Sequence, residues 1–363
     1  MLRVCLVGLV AGGHSGVPRY AAALTKGLDD VSGEFRDLEL RLLTTARGAR
    51  EAGTRNIAVQ LAGGPFSTSN AGLGRIVTEQ VQARAVSADL LHFFDLTGPA
   101  LSGHRRFVTT IHDAAVRHGF ARLRMAHKRF LQPWAIRHAS AAIAVSRFAK
   151  DEAVRMYGAE PSRIEVIHSG PGLLPQAADA AAPDGAPYVL YVGNLAAHKN
   201  LPLLVRAFGA TGIDGRLLLV GRPGDRYGEV REAIEASPAR ERIEIRSDAS
   251  DADVDRLYRQ AAMLVLPSRY EGFGFTALEA MARDCPVLAS DIPAVKEISG
   301  DGALLLPVDD VDAWADAMRR VLVDGTLQDE LRRRGATTVR RYAWEETARA
   351  ACRLFLRVGE AQA

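Results

Sequence analysis

Short apolar runs alternate along this chain with stretches of helical periodicity, and that alternation admits few folds. Runs at 2–9, 39–44, 89–93, 107–111, 141–145 and 164–168 have the length and near-continuous apolar character of strands buried on both faces. Helical patterns at 17–28, 74–88, 122–138 and 147–157 fall between them. A second series of strands is expected near 188–192, 216–220, 242–246, 262–266, 286–289 and 303–306, with helices between, one of them at 274–284. Strand–helix–strand succession builds parallel sheets covered by helices. At 363 residues the chain exceeds one comfortable core. The Pro-, Gly- and Ala-rich stretch from Gly170 to Pro187 has no sustained periodicity and reads as an interdomain linker. The expectation is an α/β chain of two doubly wound, Rossmann-like halves, 1–172 and 188–341, joined by a linker at 173–187. In such sheets ligands bind at the carboxyl ends of the strands.

Composition narrows the class further. No apolar run approaches the roughly 18 residues of a membrane span. The N-terminus enters a strand at once, without the charged region and cleavage site of a signal peptide, which argues for the cytoplasm. Cys5, Cys285 and Cys352 are isolated in apolar surroundings and read as reduced structural thiols. Net charge is only +3, but residues 1–172 hold 22 Lys+Arg against 14 Asp+Glu. That basic half suits an anionic acceptor or the cytoplasmic face of a membrane, although a solvated Arg-rich surface explains it as well.

The densest chemical signal lies in Arg269-Tyr-Glu271-Gly272-Phe273-Gly274-Phe275-Thr276-Ala-Leu-Glu279, directly after the apolar run ending at Pro267. This reads as strand, glycine turn and helix start. A helix N-terminus after a glycine turn offers backbone N–H groups to a phosphate. Carboxylates beside an anion site would repel the anion, so Glu271 and Glu279 are better suited to sugar or ribose hydroxyls. The plainer alternative makes Glu271 a loop charge and Glu279 a solvated helix residue.

The Glu-x7-Glu spacing inside Ser268-Arg-Tyr-Glu-Gly-Phe-Gly-Phe-Thr-Ala-Leu-Glu-Ala-Met-Ala-Arg-Asp-Cys-Pro-Val287 resembles the retaining glycosyltransferases of family 4. The resemblance implies the GT-B fold, with two Rossmann-like domains facing a central cleft and a C-terminal helix, within 342–363, crossing back to the first domain. It also implies a nucleotide-diphosphate sugar as donor, no metal and no cofactor. On the same resemblance Glu271 faces donor-sugar hydroxyls and Glu279 the ribose, with Gly272, Phe273, Gly274, Phe275 and Thr276 lining the donor. Tyr191-Val-Gly193-Asn194-Leu-Ala-Ala-His198-Lys199-Asn200 is similar to the family's phosphate-binding segment, with Lys199 the best-placed cation. Many relatives carry Arg where this chain has Asn194; His198 or Arg222 is the candidate replacement.

The first strand ends in Gly8-x3-Gly12-Gly13-x2-Gly16. It lacks the lysine of a Walker A loop and the spacing of a dinucleotide fingerprint. By resemblance Gly13 and Gly16 lie against the donor diphosphate. Thr110-Ile111-His112-Asp113 ends a strand, and His112 resembles the family's histidine near the anomeric centre. Thr110–Asp113 and His198-Lys199-Asn200 together point to a mannosyl- or rhamnosyl-type branch.

Ser146 reads as a helix N-cap, and Ser169 as the entry to the interdomain turn. Asp251-Ala-Asp253 reads as helix-opening carboxylates rather than a metal site. The basic run from Arg117 to His138, with Phe130 and Trp134, suits either peripheral membrane contact or a solvated helix with its apolar face in the core. No motif supports nucleic-acid binding.

These residues predict a metal-independent, retaining hexosyltransferase acting on a carbohydrate, lipid-linked or small-molecule acceptor, in glycan, glycolipid or natural-product biosynthesis. A sugar-nucleotide epimerase of the same fold and a non-catalytic sugar-nucleotide-binding protein are the alternatives.

Overall fold

The computed structural model describes residues 1–9, 16–62, 73–100, 106–113, 128–173 and 187–361. They fall into two compact units, Met1–Gly172 with Tyr342–Ala363, and Leu173–Arg341. Of the residues singled out above, Gly12, Gly13 and Arg117 lie outside the described residues.

The first unit is a seven-stranded parallel sheet. Its strands are β1 (Leu2–Val7), β2 (Leu38–Thr44), β3 (Ala58–Leu61), β4 (Leu90–Phe93), β5 (Phe107–Ile111), β6 (Ala141–Ala144) and β7 (Ile164–Val166), ordered β3-β2-β1-β4-β5-β6-β7. β1 pairs on one side with β2, Val4 opposite Leu40, and on the other with β4, Val4 opposite Leu90. Strands β4, β5 and β6 are buried at every position, as a sheet covered on both faces requires. β3 was not expected. It is an edge strand whose four residues are all exposed, so Ala-Val-Gln-Leu carries no buried-strand signal.

Helices α1 (Gly16–Val31), α2 (Ala46–Ala52), α3 (Leu73–Arg84), α4 (Lys128–His138) and α5 (Arg147–Tyr157) connect these strands. α5 shows why its bounds are sharp. Ser146 accepts a hydrogen bond from the Ala149 amide at 2.9 Å, and Gly158 closes the helix in the left-handed region. On α4, Trp134 stacks on Phe107 while Phe130 is exposed.

The second unit is a six-stranded parallel sheet of β8 (Tyr188–Val192), β9 (Arg216–Val220), β10 (Ile243–Arg246), β11 (Met263–Leu266), β12 (Val287–Ser290) and β13 (Leu304–Leu306), ordered β10-β9-β8-β11-β12-β13. Its helices are α6 (Leu201–Thr211), α7 (Tyr227–Glu235), α8 (Asp251–Gln260), α9 (Phe275–Met281), α10 (Pro293–Ser299), α11 (Val311–Val323) and α12 (Gly325–Val339). One core cluster joins Tyr191, Phe208, Leu219, Val265 and Trp314. α8 begins with a capping box in which Ser250 and Asp253 exchange hydrogen bonds, which accounts for the Asp-x-Asp sequence there.

The turns after β8 and β9 pack backbone to backbone. Gly193 and Gly221 have φ of 150° and 153°, and a Cβ on Gly221 would lie 1.8 Å from the Gly193 carbonyl oxygen. Gly221→Ala should therefore cost about 3 kcal/mol or more of stability. Denaturant unfolding checks this, and an unchanged midpoint would show that the two turns do not meet in this way.

α13 (Trp344–Glu360) belongs to the first unit. Trp344 Nε1 donates to the Pro171 carbonyl at 2.9 Å and Thr347 Oγ1 to the His168 carbonyl at 2.8 Å. Gly27 lets α1 approach it, since a Cβ there would come within 2.9 Å of the Trp344 carbonyl oxygen. Cys5, Cys285 and Cys352 are free and buried, and burial pushes each thiol up to about 12. Among the described residues no helix is long and apolar enough to cross a membrane.

Candidate functional site

In the second sheet the strand order reverses at β8, which lies between β9 and β11. A doubly wound sheet opens a crevice at the carboxyl ends of its strands at such a switch point. Residues from both sides converge there. After β8, the chain passes Gly193 and an exposed Asn194, whose carbonyl accepts a hydrogen bond from Tyr191 Oη at 2.9 Å. A 3₁₀ turn, Ala197–Lys199, follows. Asn200 then adopts φ of 56°, a conformation Asn tolerates better than most residues, and its Nδ2 donates to the Val308 carbonyl at 3.0 Å. After β11, the Arg269 amide donates to the His198 carbonyl at 2.8 Å, tying the two segments together.

This packing brings Lys199 and Glu271 into contact. Lys199 Nζ lies 2.6 Å from Glu271 Oε1, and the two side chains are 16% and 13% exposed. Ser268, fully buried, donates its hydroxyl to the same oxygen at 2.7 Å. Burial pushes the Glu271 carboxyl upward, but the Lys199 ammonium, the Ser268 hydroxyl and His198 together outweigh it, and the carboxyl is held below its ordinary value of 4.5. Glu271 is therefore neither a loop charge nor an isolated acid. It is the anionic half of a nearly buried ion pair whose sequence separation is 72 residues.

Beyond Glu271 the backbone turns through Gly272 and the buried Phe273, and Gly274, with φ of 97°, starts α9. No side chain caps α9, so its first amides, at Phe275 and Thr276, point outward from the helix. α9 ends at Met281, earlier than the expected 284, because turn backbone and Asp284 at φ of 54° follow. The Phe273 and Phe275 rings pack 4.9 Å apart.

Glu279 is not the solvated helix residue of the plainer alternative. It is 1% exposed, and Tyr258 Oη donates to its Oε2 at 2.8 Å. Tyr258 is in turn covered by the Arg283 guanidinium, 5.4 Å above its ring. Arg283 is buried against Asp255 at 2.7 Å and donates to the Glu279 carbonyl at 2.8 Å. Arg222 follows β9 and is exposed. It forms no part of the Lys199–Glu271 contact, whereas His198 lies beside Glu271 and helps lower its pKa.

In the first unit, Gly16 opens α1 and is exposed. His112 follows β5, and its Nε2 lies 2.8 Å from the Phe94 carbonyl. A carbonyl only accepts, so Nε2 carries the proton in that contact. The Tyr20 ring meets the imidazole edge to face at 4.7 Å. Beneath it, His92 is wholly buried with Nε2 3.0 Å from Thr110 Oγ1, and burial lowers its pKa to about 3. Ser169 is buried beside the turn at Gly170, against which the Trp344 indole packs.

Sequence reasoning assigned no role to Ser268, Tyr258 or Arg283. Ser268 had a usable signal, standing just past a buried strand and three residues before Glu271. Tyr258 and Arg283 had none, since each reads as an ordinary helix residue.

Comparison with known proteins agrees with this architecture. Residues 14–171 match the family described as Glycosyltransferase Family 4, and residues 176–338 match Glycosyl transferases group 1. The O-antigen chain mannosyltransferase B of Escherichia coli is 27% identical over 258 residues, 66% of this chain and 67% of that protein. The D-inositol 3-phosphate glycosyltransferase of Xylanimonas cellulosilytica is 30% identical over 58% of this chain and 55% of its own length. The matches thus span about half to two thirds of these curated relatives. Among solved structures, the sucrose-phosphate synthase of Thermosynechococcus elongatus superposes with a TM-score of 0.75 at 21% identity, over 99% of this chain and 100% of that one. The Anabaena protein HepE, solved with UDP and glucose, gives a TM-score of 0.74 at 18% identity over 98% and 100%. The chain belongs to the family 4 glycosyltransferases and has their two-domain, Rossmann-like GT-B fold.

Proposed function

We propose that this protein transfers a hexosyl group from a nucleotide-diphosphate sugar to an acceptor hydroxyl, with retention of configuration and without a metal ion. The observation that carries this reading is the Lys199–Glu271 pair at the switch point of the second sheet, beside the uncapped N-terminus of α9. A cation and outward backbone amides suit a diphosphate; a carboxylate a few ångströms away suits a sugar hydroxyl. The mannosyltransferase activity that names one relative supports a hexosyl donor of mannosyl type.

In this mechanism the second unit binds the donor, with Lys199 and the α9 amides on the diphosphate, Glu271 on the sugar and Glu279 on the ribose. The bond from the anomeric carbon to the diphosphate oxygen breaks as the acceptor oxygen bonds to the same carbon on the same face. The acceptor proton passes to the departing diphosphate, so no protein nucleophile is needed. The protein supplies positioning and electrostatics. His112 and the first unit serve the acceptor side.

Incubation with labelled sugar nucleotides in excess EDTA, with and without carbohydrate and lipid-linked acceptors, tests the reading. Acceptor-dependent transfer in chelator is expected. Conversion of the donor to another sugar nucleotide without acceptor would identify an epimerase, and an intact donor throughout would identify a binding protein. Activity that requires a restored divalent ion would contradict the metal-independent mechanism.

A further inference from the structure

The two hydrogen bonds that Glu271 accepts fall on one oxygen. Lys199 Nζ at 2.6 Å and Ser268 Oγ at 2.7 Å both meet Oε1. Oε2 accepts no hydrogen bond from the described residues, and it is not sealed from solvent. The carboxylate is thus gripped at one corner and open at the other. Ser268 is fully buried two residues beyond β11, so its hydroxyl is held by the packing around it rather than left to an exposed loop. Lys199 arrives from the far side of the switch point, on a 3₁₀ turn that the Arg269–His198 backbone bond fixes to the same loop.

We infer that Ser268 is a positioning residue for donor-sugar recognition: it clamps Glu271 Oε1 from the buried segment after β11 so that Oε2 is presented to a sugar hydroxyl. The inference rests on the proposed sugar contact of Glu271. Lys199 cannot serve as the fixed point, because a diphosphate competes for its ammonium. When the ammonium turns toward phosphate, the buried Ser268 hydroxyl is the contact that still fixes the carboxylate. Ser268 acts through Glu271 and touches no reacting atom.

A purely structural serine would affect all ligands alike, so the informative readout is a ratio. Calorimetric titration of the full chain with UDP and UDP-glucose, and with GDP and GDP-mannose, gives Kd for each sugar nucleotide relative to its diphosphate. In Ser268→Ala that ratio should rise about fivefold to tenfold, the size of one ordinary hydrogen bond, with diphosphate affinity unchanged within about twofold. Ser268→Thr, which keeps the hydroxyl, should restore the parent ratio. Glu271→Gln should raise it further, by tenfold or more, since a charge-assisted contact is lost.

If the ratio moves in Glu271→Gln but not in Ser268→Ala, the positioning role is overturned and the sugar contact stands. If it moves in neither, the sugar contact of Glu271 is what fails. A parent that binds neither pair overturns the functional reading, and this inference with it.

Discussion

Lys199→Ala should lower kcat by about 10²–10³-fold, the usual effect of removing one donor aimed at charge that develops in the transition state. Charge grows on the bridging phosphate oxygen as the glycosidic bond breaks, so the contact strengthens along the reaction and kcat should fall more than donor affinity. The ion pair complicates the reading of this variant, because the substitution leaves Glu271 with Ser268 alone. Stability must therefore be measured beside steady-state kinetics. A folded variant with unchanged kcat would make Lys199 a structural counter-ion only, and leave His198 or Arg222 as the phosphate contact.

The second large effect is on stability and separates structure from catalysis. Removing one partner of a nearly buried ion pair typically costs about 3–5 kcal/mol, whereas replacing both with groups of similar volume is often close to neutral. Glu271→Gln should thus be strongly destabilised, and adding Lys199→Met should recover most of the loss while restoring no activity. Acid unfolding supplies an independent check. Folding lowers the Glu271 carboxyl below its ordinary 4.5, so the pair contributes stability above that value and loses it as pH falls through the lowered one. Below pH 4.5 the parent should lose stability more steeply than the double variant. Parallel curves would show that the pair is not formed in solution.

Much of the fold was legible because both sheets are parallel and buried. Runs such as Tyr188–Val192, Arg216–Val220 and Phe107–Ile111 match the observed strands residue for residue. Capped helices were equally clear, Arg147–Tyr157 being bounded by Ser146 and Gly158. What periodicity could not supply was β3, whose side chains all face solvent, and α2, which is only seven residues long. The individual candidates Lys199, Glu271 and Glu279 were visible as motif residues, but their mutual arrangement was not. Pairing across 72 residues depends on strand order, and sequence order places two strands between β8 and β11 although they are hydrogen-bonded neighbours. The same limit hid the burial of Glu279 under Tyr258 and Arg283, which only the packing of α8 against α9 creates.

Thermal unfolding of the full chain against a panel of UDP-, GDP- and dTDP-sugars tests the central claim most directly, namely that the Lys199–Glu271 pair marks the donor site. A ligand that binds only the folded state stabilises by mass action, by about 2.7 kcal/mol at one hundred times its Kd. The predicted result is that one donor raises the parent's midpoint in a concentration-dependent manner, and that the Lys199→Met, Glu271→Gln double variant loses most of that shift while remaining folded. A panel that leaves the parent's midpoint unmoved, or a double variant that responds as the parent does, would contradict it.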